Sequence, residues 1–308
     1  YSLASIILYQ AGFYSDQAAI VVMGVTIVVV VLVVVSMLRW IQHLTDLGSV
    51  ANSLHTATER ARASLAAFAG DPALGGVRMR EDAELPDGLT PLRAAEAGYI
   101  QLIDVPGLQK AFPEGTSVYV SCRPGTHVLK GEIIAQVAGN PDEEALENAA
   151  AAFTLGDTRS YEQDAVFGLI VLSEIASKAL SPGINDAGTA IGTIQNLKTL
   201  LWDFSRQEPQ VRDEFAETVF VAVPGNKTLI TSAFSAVARD GAGMIEVART
   251  LRQALADLAA SPDPEMAQAA EEMAATALEH CQNATLLDSE YEKLNEISVP
   301  APAMARPT

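Results

Sequence analysis

The chain has 308 residues, and 38 Asp and Glu against 20 Lys and Arg leave a net charge of −18. Nucleic acid and anionic lipid headgroups both call for a basic footprint, so this balance argues against either polyanion as a partner. The only cysteines, Cys122 and Cys281, are too few and too far apart for a disulfide framework or a cysteine metal site, and they fit a reducing compartment.

Tyr1 to Ala11 is apolar but too short to cross a bilayer, and the chain does not start with Met. It reads as the end of an earlier membrane helix, with Gly12 closing that helix and Asp16 capping the next across an outside turn, or as a short interfacial segment. From Gln17 to Leu38 there is no charge, and ten valines fall between Val21 and Val35. As a helix this run is about 33 Å long against a hydrocarbon core of roughly 30 Å. Valine is a mediocre helix former in water, but lipid supplies no partners for backbone groups, so a lone apolar segment must close its own hydrogen bonds. Phe13, Tyr14 and Trp40 mark the two interfaces. The run is too long for a signal-peptide core, and no basic residue precedes it. Arg39, Arg60 and Arg62 follow it, which by the positive-inside rule places everything after Trp40 in the cytoplasm.

Trp40, Leu44, Leu47, Ala51, Leu54, Thr58, Ala61, Leu65 and Phe68 alternate four and three residues apart, predicting a stalk helix with a heptad seam. The seam can meet its copies in neighbouring subunits or a helix of the same chain. His43 and His55 lie near it without a partner at ligand spacing. Gly70 to Leu92, rich in Gly and Pro, reads as a linker. Short β signals follow at Tyr99–Ile103, Ser117–Cys122 and Glu132–Val137. Gly125, Val128, Gly131 and Ile134 fall three apart, a spacing that resembles barrel-sandwich domains such as lipoyl carriers. Lys130 lacks the Asp-Lys pair that such carriers modify, so the likeness bears on shape and no cofactor is expected.

Beyond Glu143 the pattern turns helical. Ala165 to Leu172 is apolar all round apart from Gly168, which predicts a central helix whose charged ends, Arg159, Gln163 and Asp164 before it and Glu174 and Lys178 within it, need partners. Glu174 and Lys178 are spaced for an i,i+4 pair. Leu180-Ser181-Pro182-Gly183-Ile184-Asn185-Asp186 then turns the chain into a second helix from about Ala187 to Phe204. Asn185 or Asp186 can cap that helix, while the small residues Gly188, Ala190 and Gly192 admit a close backbone, or a ligand or ion, near its first turn. Asp164 and Lys178 lie about 21 Å apart along the axis, so one paired-carboxylate site is hard to assemble. A strand at Thr218–Val223 and helices at about Lys227–Arg239, Gly243–Ala260 and Pro264–Leu294 complete the soluble part.

Arg159 with Gln163-Asp164, then Ala179 to Asp186 and Thr189-Ala190, resembles the bacterial predicted-membrane-protein family known as domain of unknown function 2254, from Ala18 to about Ala260. The resemblance implies a cytoplasmic-membrane protein with amino-terminal helices before a cytoplasmic domain, and no activity. It marks Arg159, Gln163, Asp164, Ser181, Asn185, Asp186 and Thr189 as motif residues, and Glu174 and Lys178 join them as candidates from the helix reading alone. The family motif usually continues with proline after Asn-Asp, whereas Ala187-Gly188 follows here.

The expectation is an α+β, mostly α chain. It comprises a membrane region at 1–40 with its full span at 17–40, a stalk at 41–69, a linker at 70–96, a β subdomain at 97–140, a helical domain at 143–296 with a strand near 218–223, and a disordered tail at 297–308. Its expected partners are the lipid bilayer and copies of itself, joined through membrane and stalk helices, with no nucleic acid, metal or cofactor. The full-length chain is expected to be multi-pass in the bacterial inner membrane. Two functions stand: a homo-oligomeric transport, channel-like or scaffolding assembly, and a membrane-tethered enzyme or small-ligand sensor using the Ser181–Asp186 turn.

Overall fold

A computed structural model describes residues 16–47, 50–207 and 216–300. The chain divides into two compact units, Tyr1–Ser53 and Leu54–Thr308. In the first, helix α1 (Asp16–Leu47) contains Ile20–Ile41, a stretch long and apolar enough to cross a membrane, with no buried residue. Thr26 Oγ1 donates to the Val22 carbonyl at 2.7 Å, so that hydroxyl is satisfied inside the helix, as lipid requires. The expected earlier helix at Tyr1–Ala11 and residues 48 and 49 of the stalk lie outside the described residues.

Helix α2 (Val50–Gly70) carries the chain into the second unit. Ala57, Thr58, Ala61, Ser64, Leu65 and Ala69 are buried, and Leu54 and Phe68 pack at the edge of the same face. From Leu54 onward, therefore, the seam is filled by this chain's own helices. The side chains of Leu44, Leu47 and Ala51 lie outside the described residues.

The stretch read as a linker is more ordered than expected, since it contains two strands, β1 (Gly76–Arg80) and β2 (Thr90–Arg93). After them come β3 (Gly98–Ile103), the short helix α3 (Val105–Lys110), β4 (Val118–Val120), β5 (His127–Val128), β6 (Ile133–Val137), α4 (Glu143–Ala150) and β7 (Phe153–Gly156). The strand expected near 218–223 is β8 (Ala216–Val223), and it lies inside the larger sheet. That sheet has the order β1-β8-β4-β6-β2, with β8 parallel to both neighbours and β6 antiparallel to both of its own. The three strands β5-β3-β7 form a second, antiparallel sheet. The two together enclose Ile100, Leu108, Val118, Val120, Val128 and Val219. β1 finds its partner some 140 residues away, and so remote a pairing leaves little trace in local pattern. At its start, a Cβ on Gly76 would stand 2.5 Å from the Val219 carbonyl oxygen, so glycine is required where the register shifts.

The helical core is built from α2, α5 (Ala165–Leu180), α6 (Ala187–Phe204), α7 (Asn226–Asp240), α8 (Ile245–Ala259) and α9 (Pro264–Gln282). α5 packs against α6 and α7, and Leu169 and Leu172 are fully enclosed, each contributing about 1.5–3 kcal/mol by burial. Where α5 meets α2, a Cβ on Gly168 would lie 2.5 Å from Ala61 Cβ and 2.6 Å from its Cα, so the two backbones are in direct contact. Phe68, at the end of α2, packs against both cores and stacks on Phe204 at 5.8 Å. The helix expected from Pro264 to Leu294 is interrupted. Asn283 caps α9, donating Nδ2 to the Glu279 carbonyl, and α10 (Asp288–Asn295) starts afresh with Glu290 accepting from the Leu287 amide. Val299, in the stretch expected to be a disordered tail, packs on the helical core, while residues 301–308 lie outside the described residues.

Candidate functional site

The motif residues separate into two groups at the two ends of α5, a helix of 16 residues and about 24 Å. At its start, Asp164 is 3% exposed. One carboxylate oxygen, Oδ1, accepts from the amides of Val166 (3.2 Å) and Phe167 (3.1 Å), which caps the helix. The other, Oδ2, accepts from Arg159 Nε (2.7 Å) and Nη2 (2.6 Å). The Arg159 guanidinium lies over the Phe167 ring at 5.1 Å. Burial pushes the Asp164 carboxyl above its ordinary value, and Arg159 and the two amides pull against that shift.

Three further contacts converge here. Ser64 Oγ of α2 donates to the Asp164 carbonyl at 3.0 Å. Gln163 pairs with the backbone of Ile103 in both directions, Oε1 accepting from its amide (2.7 Å) and Nε2 donating to its carbonyl (3.3 Å). Gly125, at φ +85°, packs so closely on Asp164 that a Cβ there would stand 2.6 Å from its Cγ. Ser64 and Gly125 were absent from the motif reading. Gly125 stands out in the sequence by its three-residue spacing with Val128 and Gly131, and nothing local shows that it lies against a carboxylate about forty residues away.

At the far end of α5, Ser181 Oγ donates to the Lys178 carbonyl (2.7 Å), and the amides of Ile184 (3.0 Å) and Asn185 (2.9 Å) close on the Ser181 carbonyl. Asn185 takes the left-handed conformation at φ +51°, which Asn tolerates well. Asp186 caps α6, Oδ1 accepting from the Thr189 amide (3.0 Å) and Oδ2 from its hydroxyl (2.6 Å). Ala187 is thus the first helical position, where a proline would fit equally, so the departure from the family pattern leaves the turn intact. Residues 182–186 are exposed. Glu174 and Lys178 are also exposed, and among the described residues they do not form an ion pair; an exposed contact of that kind gains little over solvent for the side-chain freedom it costs.

The Thr189 hydroxyl and amide hold the Asp186 carboxyl below its ordinary value. A carboxylate depressed on folding stabilises the fold above the unfolded value of about 3.9 and loses that contribution as pH falls through the folded one. Asp186→Ala is therefore expected to lower the thermal midpoint at neutral pH, with the gap from wild type narrowing below the ordinary aspartate range. A gap that stays constant across the acid limb would show that the charge has no part in the cap.

Two large open grooves mark the domain, and only the first borders a motif group. The first, of about 600 Å³, is lined by Ser64, Phe68, Asp71, Asp104, Glu162 and Gln163 among others. The second, of about 660 Å³, lies at the carboxyl ends of β1 and β8, where Arg80 pairs with Asp82 and Lys227 with Glu272, both at 2.9 Å, and Glu81 pairs with Arg123 at 3.2 Å. The Ser181–Asp186 turn lines neither groove. Among the described residues, no three His, Cys, Asp or Glu side chains are placed to hold a metal ion.

Residues 1–257 match the sequence profile of the family described as "Predicted membrane protein (DUF2254)". Uncharacterized proteins of Mycobacterium bovis and of two strains of Mycobacterium tuberculosis are 29% identical to the chain over 123 residues, which is 37% of this chain and 23% of theirs. The chain thus spans about a quarter of the length of these relatives. No solved structure matches it.

Proposed function

The chain belongs to the DUF2254 family of predicted membrane proteins, and from that premise we propose that it works by assembling in the membrane. In this reading it is a homo-oligomeric unit with a transport-like or scaffolding role, and its acidic domain lies on the cytoplasmic side of a bacterial inner membrane. The observation that carries the reading is where apolar surface is left without a partner. Sixteen of the twenty exposed large hydrophobic residues among the described ones lie on α1. A contiguous patch of that size on a helix of spanning length calls for lipid or sister helices. The lower part of α2, by contrast, has its apolar face filled from within the chain, so association runs through the span. The rival reading, an enzyme or ligand sensor at Ser181–Asp186, has against it that Ser181, Asp186 and Thr189 spend their hydrogen bonds on helix caps.

Single cysteines along α1, at Val25, Val28 and Leu32 for example, placed in a Cys122→Ser, Cys281→Ala background and oxidised in native membranes, test the proposal. Dimers and higher bands that recur every three to four positions are expected. Monomer at every position would overturn it.

A further inference from the structure

We propose that Gln163 and Asp164 act as a mechanical relay, through which a displacement of α2 along its axis is passed to strand β3 and the turn at Gly125. The proposal rests on the reading of α1 as a membrane anchor only for the origin of such a displacement, since its own test is internal to the second unit.

The argument begins with how α2 is held. Gly168 and Ala61 leave no room between the backbones of α5 and α2, so α2 cannot slide past α5 without lifting away from it. The Ser64 hydroxyl fastens α2 to the Asp164 carbonyl, at the point where α5 begins. Gln163 and Asp164 then reach β3 by two routes. Gln163 clasps the amide and carbonyl of Ile103 at the end of the strand, much as a neighbouring strand would. The Asp164 carboxylate backs the Gly125 turn, which is bonded to β3 through Gly125 N to Ile100 O (2.7 Å) and Ile100 N to Thr126 O (2.9 Å). β3 is therefore held at Ile103 by Gln163 and, through the Gly125 turn, at Ile100 by Asp164, whose carbonyl accepts from Ser64 of α2.

A second path exists, since α2 continues through Pro72 into Ala73 of the sheet core and on to β1. The two paths predict different responders, β3 and the Gly125 turn for the relay, β1 and β8 for the direct chain connection.

Amide hydrogen exchange of the full chain in nanodiscs, comparing wild type, Ser64→Ala and Thr58→Ala, separates them. Thr58 Oγ1 accepts from Asn196 Nδ2 at 3.2 Å, so Thr58→Ala loosens α2 from the helical core without touching the relay. Ser64→Ala is expected to speed exchange at Ile103 and Gly125 about fivefold, the loss of one hydrogen bond's worth of protection. β8, α8 and α9 should keep wild-type rates, and Thr58→Ala should leave Ile103 and Gly125 unchanged. The relay is overturned if Ser64→Ala leaves both amides at wild-type rates, if Thr58→Ala accelerates them equally, or if exchange rises uniformly through the domain. None of these results depends on the oligomeric state that tests the assembly reading.

Discussion

Gly125→Ala is expected to destabilise the domain by about 3–5 kcal/mol, the range for breaking a buried ion pair, with the left-handed backbone adding to it. Its φ of +85° penalises any side chain, and the new methyl carbon would stand 2.6 Å from Asp164 Cγ and 2.7 Å from Arg159 Nη2. Neither neighbour can give way cheaply. The Asp164 side chain is 2% exposed and fixed by two helix amides, while the Arg159 side chain is 21% exposed and held to it through two nitrogens. Chemical denaturation of the detergent-solubilised chain, followed by far-UV circular dichroism, reads the loss. Combined with Asp164→Ala the costs should fall well short of additive, because both substitutions break one pair. Full additivity, or a Gly125→Ala cost under about 1 kcal/mol, would mean that the turn and the carboxylate are independent.

Gly168→Leu is expected to cost about 2–4 kcal/mol, since overpacking at a backbone contact outweighs the roughly 1 kcal/mol that a better helix former returns. The loss should appear as faster hydrogen exchange from Ala57 to Leu65, where α2 lifts off α5. Gly168→Ala should fall between wild type and Gly168→Leu. Adding Ala61→Gly to it should recover only part of the loss, because the contact to Ala61 Cα at 2.6 Å remains when Cβ is gone. A fully stable Gly168→Leu chain would show that α2 is a detachable tether.

The two ends of α5 show how much of the site was legible. Asn185 or Asp186 reads as a cap from its place before an apolar helix, and the structure gives the role to Asp186, a choice made within four residues. Arg159 and Asp164 read as charges in want of partners, and they found each other across five residues. Glu174 and Lys178 have the spacing of a pair but, among the described residues, form none, and both are exposed. The roles of Ser64, Ile103 and Gly125 around Asp164 were invisible, since each comes from an element forty to a hundred residues distant. β1 and β2 were hidden for the same reason, as strands of four or five residues flanked by Gly and Pro carry too little alternation to outweigh their breakers.

By itself the sequence determined the apolar span, the mostly helical character beyond Glu143, the central place of α5 and a cap at Asn185 or Asp186. Each follows from composition or spacing within one element, where backbone hydrogen bonding and hydrophobic periodicity are local. Only the tertiary structure decided that the α2 seam from Leu54 is filled by α5 and its neighbours, that β8 joins strands 100 to 140 residues upstream, and that Gln163 and Asp164 gather α2, β3 and the Gly125 turn. Those outcomes depend on which buried surfaces fit together and on how closely backbones approach at Gly125 and Gly168, a matter of packing between remote segments that no single stretch of chain encodes.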